Sequence, residues 1–313
     1  MASVRELVER FQPELVLRRF GRVVDDTSEF MSIGPGDVIA VNGCNYLVHR
    51  DAVERGSAYK DTKFWVKKCM ELETGAPKLL KLVFHESFYL QYGNMRIKCY
   101  RSPHKEARML DRVHGDMRYM QGCSVRDTAG NLVRIIDIIS GKRIDLVLAS
   151  IKVDHAEYFK NHFPYFFRQF IGACQAISDL HAQDEVHGDI NLDHLMREHT
   201  TNDLRWIDFD YAYGVCANPF ALDLFGLGRI LACITGKQLY TNHNLREAGF
   251  VDSPSLCPAD FSCVRKNEVM NLRALFPYVP EFLNRILLHF SQGAEIGYDS
   301  VEELIEDMQA VKL

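Results

Sequence analysis

Two short acidic segments in the second half of the chain carry the residue types best suited to chemistry. The first is His187-Gly188-Asp189, and the second, Ile207-Asp208-Phe209-Asp210, follows after a short polar hairpin. Such a hairpin allows the carboxylates of Asp189 and Asp208 to converge at the opening of one cleft. Convergent carboxylates in a cleft hold a divalent metal ion or move a proton. The two segments therefore predict a site for metal-assisted or acid–base chemistry.

The apolar pattern divides the chain into three parts that must position these acids. Residues 1–32 are typical of a short charged helix with a connecting segment, and residues 33–139 contain short strand-like runs around one helix. Residues 140–313 contain long helical periods. A strand-rich part followed by a helix-rich part predicts an α+β fold with two lobes that meet near residues 137–141.

The composition excludes several classes of protein. The 313 residues include 37 basic and 42 acidic side chains, a formal net charge of −5, with no block rich in lysine or arginine. Nucleic acids and anionic membranes need a concentrated positive field, so neither is expected as the main partner. No window approaches the roughly 18 apolar residues of a membrane span. The nine cysteines are scattered without a C-x-x-C pair, so we expect a cytoplasmic protein with reduced thiols.

Both acidic segments resemble motifs of the protein-kinase-like superfamily. His187-Gly188-Asp189 is similar to that family's catalytic loop, H-R-D-x-x-x-x-N, and the second segment is similar to its D-F-G element. The resemblance implies an N-terminal antiparallel sheet lobe with one main helix and a larger helical C-terminal lobe. It also implies that Asp189 accepts or orients the proton of an acceptor hydroxyl, and that Asp208 holds Mg²⁺ against the phosphates of ATP.

The resemblance extends to a lysine and an acid in the first lobe. Lys81, in the strand-like run 79–83, matches the family's lysine that grips the α- and β-phosphates. Its acidic partner would be Glu106, in the predicted helix. Glu86 is a competitor, because the 25 residues from Lys81 to Glu106 are more than the family usually allows.

Further residues match the family's nucleotide-binding positions. Lys60, Lys63 and Val66 lie where the glycine loop should cover the nucleotide. Asp137 and Ile139 belong to a run that resembles the interlobe hinge, whose backbone would bond adenine. The resemblance therefore implies that these five residues contact ATP.

Several departures from the family pattern bear on function. Only Gly56 remains of the phosphate-loop glycines, so Lys60 and Lys63 would supply charge instead. His194 replaces the asparagine that binds a second Mg²⁺, and it could be a metal ligand or a hydrogen-bonding residue. Asn191 stands where serine/threonine protein kinases carry a lysine. Similar catalytic loops with a histidine occur in bacterial lipopolysaccharide-type kinases.

The segment that normally docks a peptide is short. Asp223, which resembles the aspartate that braces the catalytic loop, follows Asp208 by only fifteen positions. The docking platform is therefore short or built from elsewhere, with residues 84–102 and 239–272 as candidates.

These residues favour an ATP- and Mg²⁺-dependent phosphotransferase, with a serine/threonine protein kinase slightly preferred because the C-terminal lobe resembles bacterial enzymes of that kind. The acceptor, protein or small molecule, is not identified by the sequence. One alternative is a small-molecule or lipopolysaccharide-type sugar kinase. Another is a pseudokinase that binds nucleotide or a partner without turnover, and a third is a histidine–aspartate metallohydrolase.

Overall fold

The chain divides into two units, and one short segment belongs to the second unit although it lies within the sequence of the first. The computed structural model describes residues 2–53, 62–92, 95–214, 218–250 and 256–312. The first unit comprises Met1–Glu86 and Arg101–Ile139, and the second comprises Ser87–Tyr100 and Ser140–Leu313. Residues 87–100 thus group apart from the rest of the expected sheet lobe, 33–139, while residues 1–32 group with it.

The elements of the described residues are as follows. The strands are β1 (Val23–Val24), β2 (Val38–Val41), β3 (Cys44–Val53), β4 (Thr62–Glu71), β5 (Pro77–Lys81), β6 (Ser87–Tyr92), β7 (Met95–Arg101), β8 (Gly122–Arg126), β9 (Leu132–Asp137), β10 (Gly141–Arg143), β11 (Leu195–Glu198), β12 (Leu204–Trp206) and β13 (Tyr211–Tyr213). The helices are α1 (Val4–Phe11), α2 (Pro103–Arg112), α3 (Ile144–Ser150), α4 (His155–Asn161), α5 (Phe163–His181), α6 (Ala221–Gly236), α7 (Leu272–Leu275), α8 (Glu281–Leu288) and α9 (Val301–Gln309). Short 3₁₀ turns occur at Phe30–Ser32, Leu192–His194 and Pro258–Asp260.

A twisted sheet of order β1-β2-β3-β4-β5-β9-β8 forms the first unit. Its strands pair antiparallel except β1 with β2. Asn42 and Gly43 join β2 to β3 with φ of 53° and 78°, as a two-residue hairpin turn requires. One face of the sheet packs a core that includes Ile39, Val48 and Leu80.

The other face of the sheet is covered by the N-terminal helix α1. Its start is fixed by a capping box in which Ser3 and Glu6 bond each other's backbone N–H groups. Val4, Leu7 and Val8 pack with Val38, Leu47 and Leu72. Alternation along β2 and β3 places these partners on the face opposite Ile39 and Val48. The N-terminal extension is therefore part of the core of the first unit.

Long helices build most of the second unit. The 19-residue helix α5 buries Phe163, Phe166, Phe167 and Phe170, and it packs against α4, α6 and α9. The indole Nε1 of Trp206 donates to the Ala173 carbonyl at 2.9 Å and so ties β12 to α5. No helix in the described ranges is long and apolar enough to cross a membrane.

A small sheet of order β13-β7-β6 completes the second unit. The β6–β7 hairpin interrupts the sequence between β5 and α2 and pairs in register from Ser87↔Tyr100 to Tyr92↔Met95. Its partner β13 begins directly after Asp210. Pairing with this distant strand explains why residues 87–100 group with the second unit.

Replacing Leu7 with Ala should lower the free energy of unfolding of the first unit by about 2 kcal/mol, because a buried side chain of α1 leaves a cavity against the sheet. Urea unfolding followed by amide hydrogen exchange in β2 and β3 measures the change. The exposed Glu9 on the same helix provides the control Glu9→Ala. Equal stability of the two variants would contradict the packing of α1.

Candidate active site

The first group of charged side chains lies in the sheet unit. Lys81 ends β5 and Glu106 lies in α2. The Nζ of Lys81 is 2.6 Å from Glu106 Oε1, and the two residues are only 3% and 0% exposed. Glu86, the competing acid, forms an ion pair with Arg101 at 3.4 Å. The structure therefore brings together Lys81 and Glu106 despite their long separation in sequence.

Arg134 is a third member of this group, and sequence reasoning missed it. Its Nε donates to Glu106 Oε2 at 3.1 Å, and its Nη atoms donate to the carbonyls of Leu132 and Leu82, each at 3.0 Å. Arg134 lies directly opposite Lys81 in the β5–β9 pairing. Two cations thus share one buried carboxylate, and the three side chains together carry a positive charge. An arginine inside the apolar run LVRIID was the available signal.

The three residues expected at the glycine loop lie in different surroundings, and one of them is outside the described residues. Val66 pairs directly with Lys81 between β4 and β5 and is buried. Lys63 lies opposite Ala52 on the β3–β4 ladder. Lys60 lies outside the described residues. Val66 therefore adjoins the buried charges, and a role for Lys60 and Lys63 at the nucleotide stays a prediction.

The predicted hinge residues lie at the end of the first unit. The carboxylate of Asp137 pairs with Lys78 at 2.6 Å, and its backbone N–H donates to the Gln121 carbonyl at 2.9 Å. Ile139 is the last residue of the unit and is half-buried. Because the Asp137 N–H already has an acceptor, Ile139 is the better candidate of the two to donate to adenine.

In the second unit, a buried aspartate holds the loop that carries Asp189. The carboxylate of Asp223, at the start of α6, accepts hydrogen bonds from the backbone N–H groups of His187 at 2.7 Å and Gly188 at 2.8 Å. The ring Nε2 of His181 lies 3.0 Å from the same carboxylate. Gly188 has a φ of 84°, which favours glycine. The bracing role expected of Asp223 corresponds to these contacts.

The remainder of the loop is held by α6 and by residues that sequence reasoning missed. A Cβ on Gly226 would lie 2.5 Å from the Ile190 carbonyl, so only glycine lets α6 approach the loop this closely. Arg229, one turn along α6, donates to the Asn191 side chain at 2.6 Å and forms a forked ion pair with Glu268 at 2.8 Å. Asn191 therefore has a structural partner at the position of the family's lysine.

His194 lies between Asp189, the predicted catalytic residue, and Asp208, the predicted metal ligand. Its Nδ1 is 2.7 Å from the backbone carbonyl of Asp189, so this nitrogen carries a proton and donates. Its Nε2 faces Asp208 Oδ2 at 3.7 Å. The backbone N–H of Ile207 donates to the His194 carbonyl at 3.0 Å. The imidazole thus links the loop that carries Asp189 to the segment that carries Asp208.

Burial and the neighbouring negative charges shift the pKa values of Asp189 and His194. Burial is the main reason that the pKa of Asp189 is raised to about 6. The His194 imidazole opposes this rise, and the neighbouring carboxylates, including Asp208 and Asp210, add to it. For His194 itself, burial acts to lower the pKa, but the carboxylates of Asp189, Asp208 and Asp193 outweigh burial and raise it. The cluster therefore favours a bound cation.

The donor set of this cluster fits Mg²⁺ at Asp208. Mg²⁺ is usually held by one or two carboxylates together with phosphate oxygens of the substrate. Within the described ranges, no group of three or more His, Cys, Asp or Glu side chains could hold a metal ion by itself. An imidazole nitrogen is a poor ligand for Mg²⁺, so a metal-binding role for His194 stays a prediction beside its observed hydrogen bond.

Asp208 adopts a backbone conformation that is uncommon among residues other than glycine, although aspartate adopts it more readily than most. Its φ is 60°, in the left-handed region. Such conformations persist only where the surroundings enforce them, and they cluster at active sites and switch regions. The neighbouring Phe209 is fully buried, which anchors the segment on its C-terminal side.

Comparison with known proteins supports the fold and leaves the activity open. No family model matches the chain, and no curated protein matches it in sequence. A double mutant of the Mycobacterium tuberculosis PknI kinase domain is 13% identical with a TM-score of 0.50, over 89% of this chain and 98% of that one. Another structure of the PknI kinase domain is 13% identical with a TM-score of 0.47, over 87% of this chain and 97% of that one. Rad53 in complex with AMP-PNP is 14% identical with a TM-score of 0.48, over 85% of this chain and 65% of that one.

The chain has a protein-kinase-like fold, and the predicted α+β fold class is confirmed. At 13% identity, this likeness concerns the fold and not the reaction.

Replacing Glu106 with Gln should destabilise the first unit by about 3 kcal/mol or more, because Lys81 and Arg134 would lose the carboxylate that they share. Hydrogen exchange of the α2 and β5 amides during urea unfolding measures the loss. Glu29→Gln, at an exposed position of the same unit, is the matched control. A Glu106 variant as stable as this control would show that the shared carboxylate is dispensable.

Replacing Asp223 with Asn should destabilise the second unit in a pH-dependent way. Burial acts to raise the pKa of Asp223, but the hydrogen bond and charge of His181 and the bond from Gly188 outweigh burial and lower the pKa. A carboxyl with a lowered pKa in the folded state stabilises the fold above its unfolded pKa, and this contribution is lost as the pH falls through the folded value. The stability difference between wild type and variant should therefore be full at pH 7 and shrink below about pH 4.

Urea unfolding of both proteins between pH 2.5 and pH 7 measures this difference. The exposed Asp203 supplies the control Asp203→Asn. A difference that stays constant down to the lowest pH would contradict the role of the Asp223 charge.

Proposed function

We propose that this chain is an ATP- and Mg²⁺-dependent phosphotransferase that moves the γ-phosphoryl group of ATP to an acceptor hydroxyl. The observation that carries the proposal is the cluster of Asp189, His194 and Asp208, two carboxylates on either side of one imidazole in a kinase-like fold. Phosphoryl transfer is catalysed mainly by positioning and by neutralising charge. We further propose that the protein acts in the cytoplasm, where ATP is available.

The residues of the first unit would bind the nucleotide. Lys81 would contact the phosphates, and Glu106 would hold its ammonium group at 2.6 Å. Arg134 leaves the Lys81–Glu106 pair with a positive charge, which suits a polyphosphate anion. The backbone of Ile139 would bond adenine.

The residues of the second unit would act on the metal and the acceptor. Bound Mg²⁺ neutralises charge on the β- and γ-phosphates. Asp208 would be its carboxylate ligand. Asp189 would orient the acceptor hydroxyl and take its proton, and a pKa of about 6 leaves this carboxylate mostly ionised at neutral pH while keeping it basic enough to do so. His194 would keep Asp189 in place through the bond to its carbonyl.

For the acceptor, we propose a serine or threonine hydroxyl of a protein. A small-molecule or sugar kinase is a second candidate, because Asn191 is engaged by Arg229 and the segment between Asp208 and Asp223 is short. Transfer from labelled ATP to peptides, free sugars and lipid cores distinguishes the two. Transfer to sugars or lipid cores alone would overturn the protein-kinase assignment.

A pseudokinase is a further candidate, favoured by the raised pKa of His194 beside Asp208. A protonated imidazole at this position would compete with a metal ion for the carboxylate. Nucleotide binding that does not depend on Mg²⁺, with no hydrolysis or transfer, would support this candidate.

Replacing Asp208 with Asn should remove the Mg²⁺-dependent part of ATP binding, because the proposed metal ligand loses its charge. Replacing Asp189 with Asn should leave Mg²⁺–ATP binding intact and lower transfer or hydrolysis by about 100-fold or more, because the base is lost. Calorimetric titration with ATP, with and without Mg²⁺, and product release from labelled ATP measure the two effects. The control is Asp203→Asn in the hairpin between β11 and β12. Full Mg²⁺ dependence in the Asp208 variant would refute the metal assignment.

A further inference from the structure

The β6–β7 hairpin leaves the sheet unit through a closed base. The backbone N–H of Arg101 donates to the Glu86 carbonyl at 2.9 Å, and the side chains of these residues form an ion pair at 3.4 Å. Beyond this base, residues 87–100 group with the second unit. The residues that close the base thus belong to the first unit, and the strands of the hairpin belong to the second.

One face of the hairpin is buried along β7. Phe88 pairs with Cys99, and Leu90 pairs with Ile97. Cys99 and Ile97 are each 6% exposed, whereas Phe88, on the same face, is 42% exposed and Tyr89, on the opposite face, is 55% exposed. Burial, and after it the charge of Asp189, raise the pKa of the Cys99 thiol on this face.

The buried face and the edge of β7 hold the strand that follows Asp208. The backbone N–H of Gly214 donates to the Lys98 carbonyl at 2.8 Å. The ring of Phe88 meets the ring of Tyr211 edge to face, with centroids 5.5 Å apart. These contacts begin three residues after Asp208, whose left-handed backbone needs support from its neighbours.

The segment between Asp208 and Asp223 contains no serine or threonine that phosphorylation could use to order it. Of its tyrosines, Tyr213 donates its hydroxyl hydrogen to the Pro219 carbonyl at 2.7 Å, and Tyr211 packs on Phe88. The hairpin contacts thus add to the support that buried Phe209 gives this segment.

We infer that the 87–100 hairpin holds residues 208–214 in the conformation that binds Mg²⁺, with Phe88 as a positioning residue, so that this conformation needs no phosphorylation. The inference rests on the proposed function. It treats the hairpin as a substitute for the longer segment that kinase-like proteins usually carry at this point.

Two matched pairs of variants test the inference. Phe88→Ala removes the ring contact, and Tyr89→Ala alters the neighbouring exposed residue. Gly214→Pro removes the N–H that donates to Lys98, and Gly214→Ala keeps it, since the added Cβ would lie 3.7 Å from the Lys98 carbonyl. Phe88→Leu should restore the packing in part. The readouts are hydrogen exchange of the 211–214 amides, ATP affinity with and without Mg²⁺, and thermal stability.

Phe88→Ala should speed exchange at residues 211–214, and Gly214→Pro should speed it at residues 211–213. Both should weaken Mg²⁺-dependent ATP binding by roughly 10- to 100-fold, the usual cost of losing support for a metal ligand. Binding without Mg²⁺, and both control variants, should match wild type. Unchanged Mg²⁺ dependence in the test variants, or equal effects in the controls, would overturn the inference. If wild type itself lacks Mg²⁺-dependent binding, the proposed function fails, and the metal-binding part of the inference fails with it. In that case, the hydrogen-exchange rates test only whether the hairpin supports the residues after Asp208.

Discussion

The first unit depends on a single buried carboxylate that pairs with two buried cations. Moving a charge out of water is costly unless an opposite charge and hydrogen bonds replace the lost hydration. Glu106 provides both, because one of its oxygens faces Lys81 and the other faces Arg134. The helix α2 is therefore fixed against β5 and β9 by charge as well as by apolar packing. A lysine held in this way would lose little further side-chain freedom on binding an anion.

The second unit applies the same principle to a backbone loop. Asp223 is a buried carboxylate that is held by hydrogen bonds from two backbone N–H groups and one imidazole. Because those N–H groups belong to His187 and Gly188, the carboxylate fixes the chain immediately before Asp189. The side chain that would do chemistry is left only partly covered, while its support is fully buried. Rigidity of the supporting residues thus accompanies access to the reacting group.

The sequence could predict roles that a short run of residues defines. It could not predict roles that depend on a partner far away in the chain. The α+β fold class was accessible, because strand-like and helical patterns occupy different parts of the sequence. Lys81 and Asp189 have local signatures too, and their roles stay predictions. Arg134 and the Arg229–Glu268 pair were not accessible, because their partners are fixed by strand register and by the path of the chain after α6. Alternation of residue types indicated strands in 87–100, but it could not indicate that their partner is β13. Pairing across such a distance follows from the assembled fold and not from any short run of residues.

The pairing of β7 with β13 has a simple energetic basis. Sequential strands usually pair with near neighbours, and a long loop between partners adds an entropic cost that grows only slowly with its length. By contrast, a short strand beside the catalytic loop with unpaired backbone groups would carry a cost for every buried N–H and carbonyl. The edge of β7 supplies such a partner to β13, since the backbone N–H of Gly214 donates to the Lys98 carbonyl at 2.8 Å.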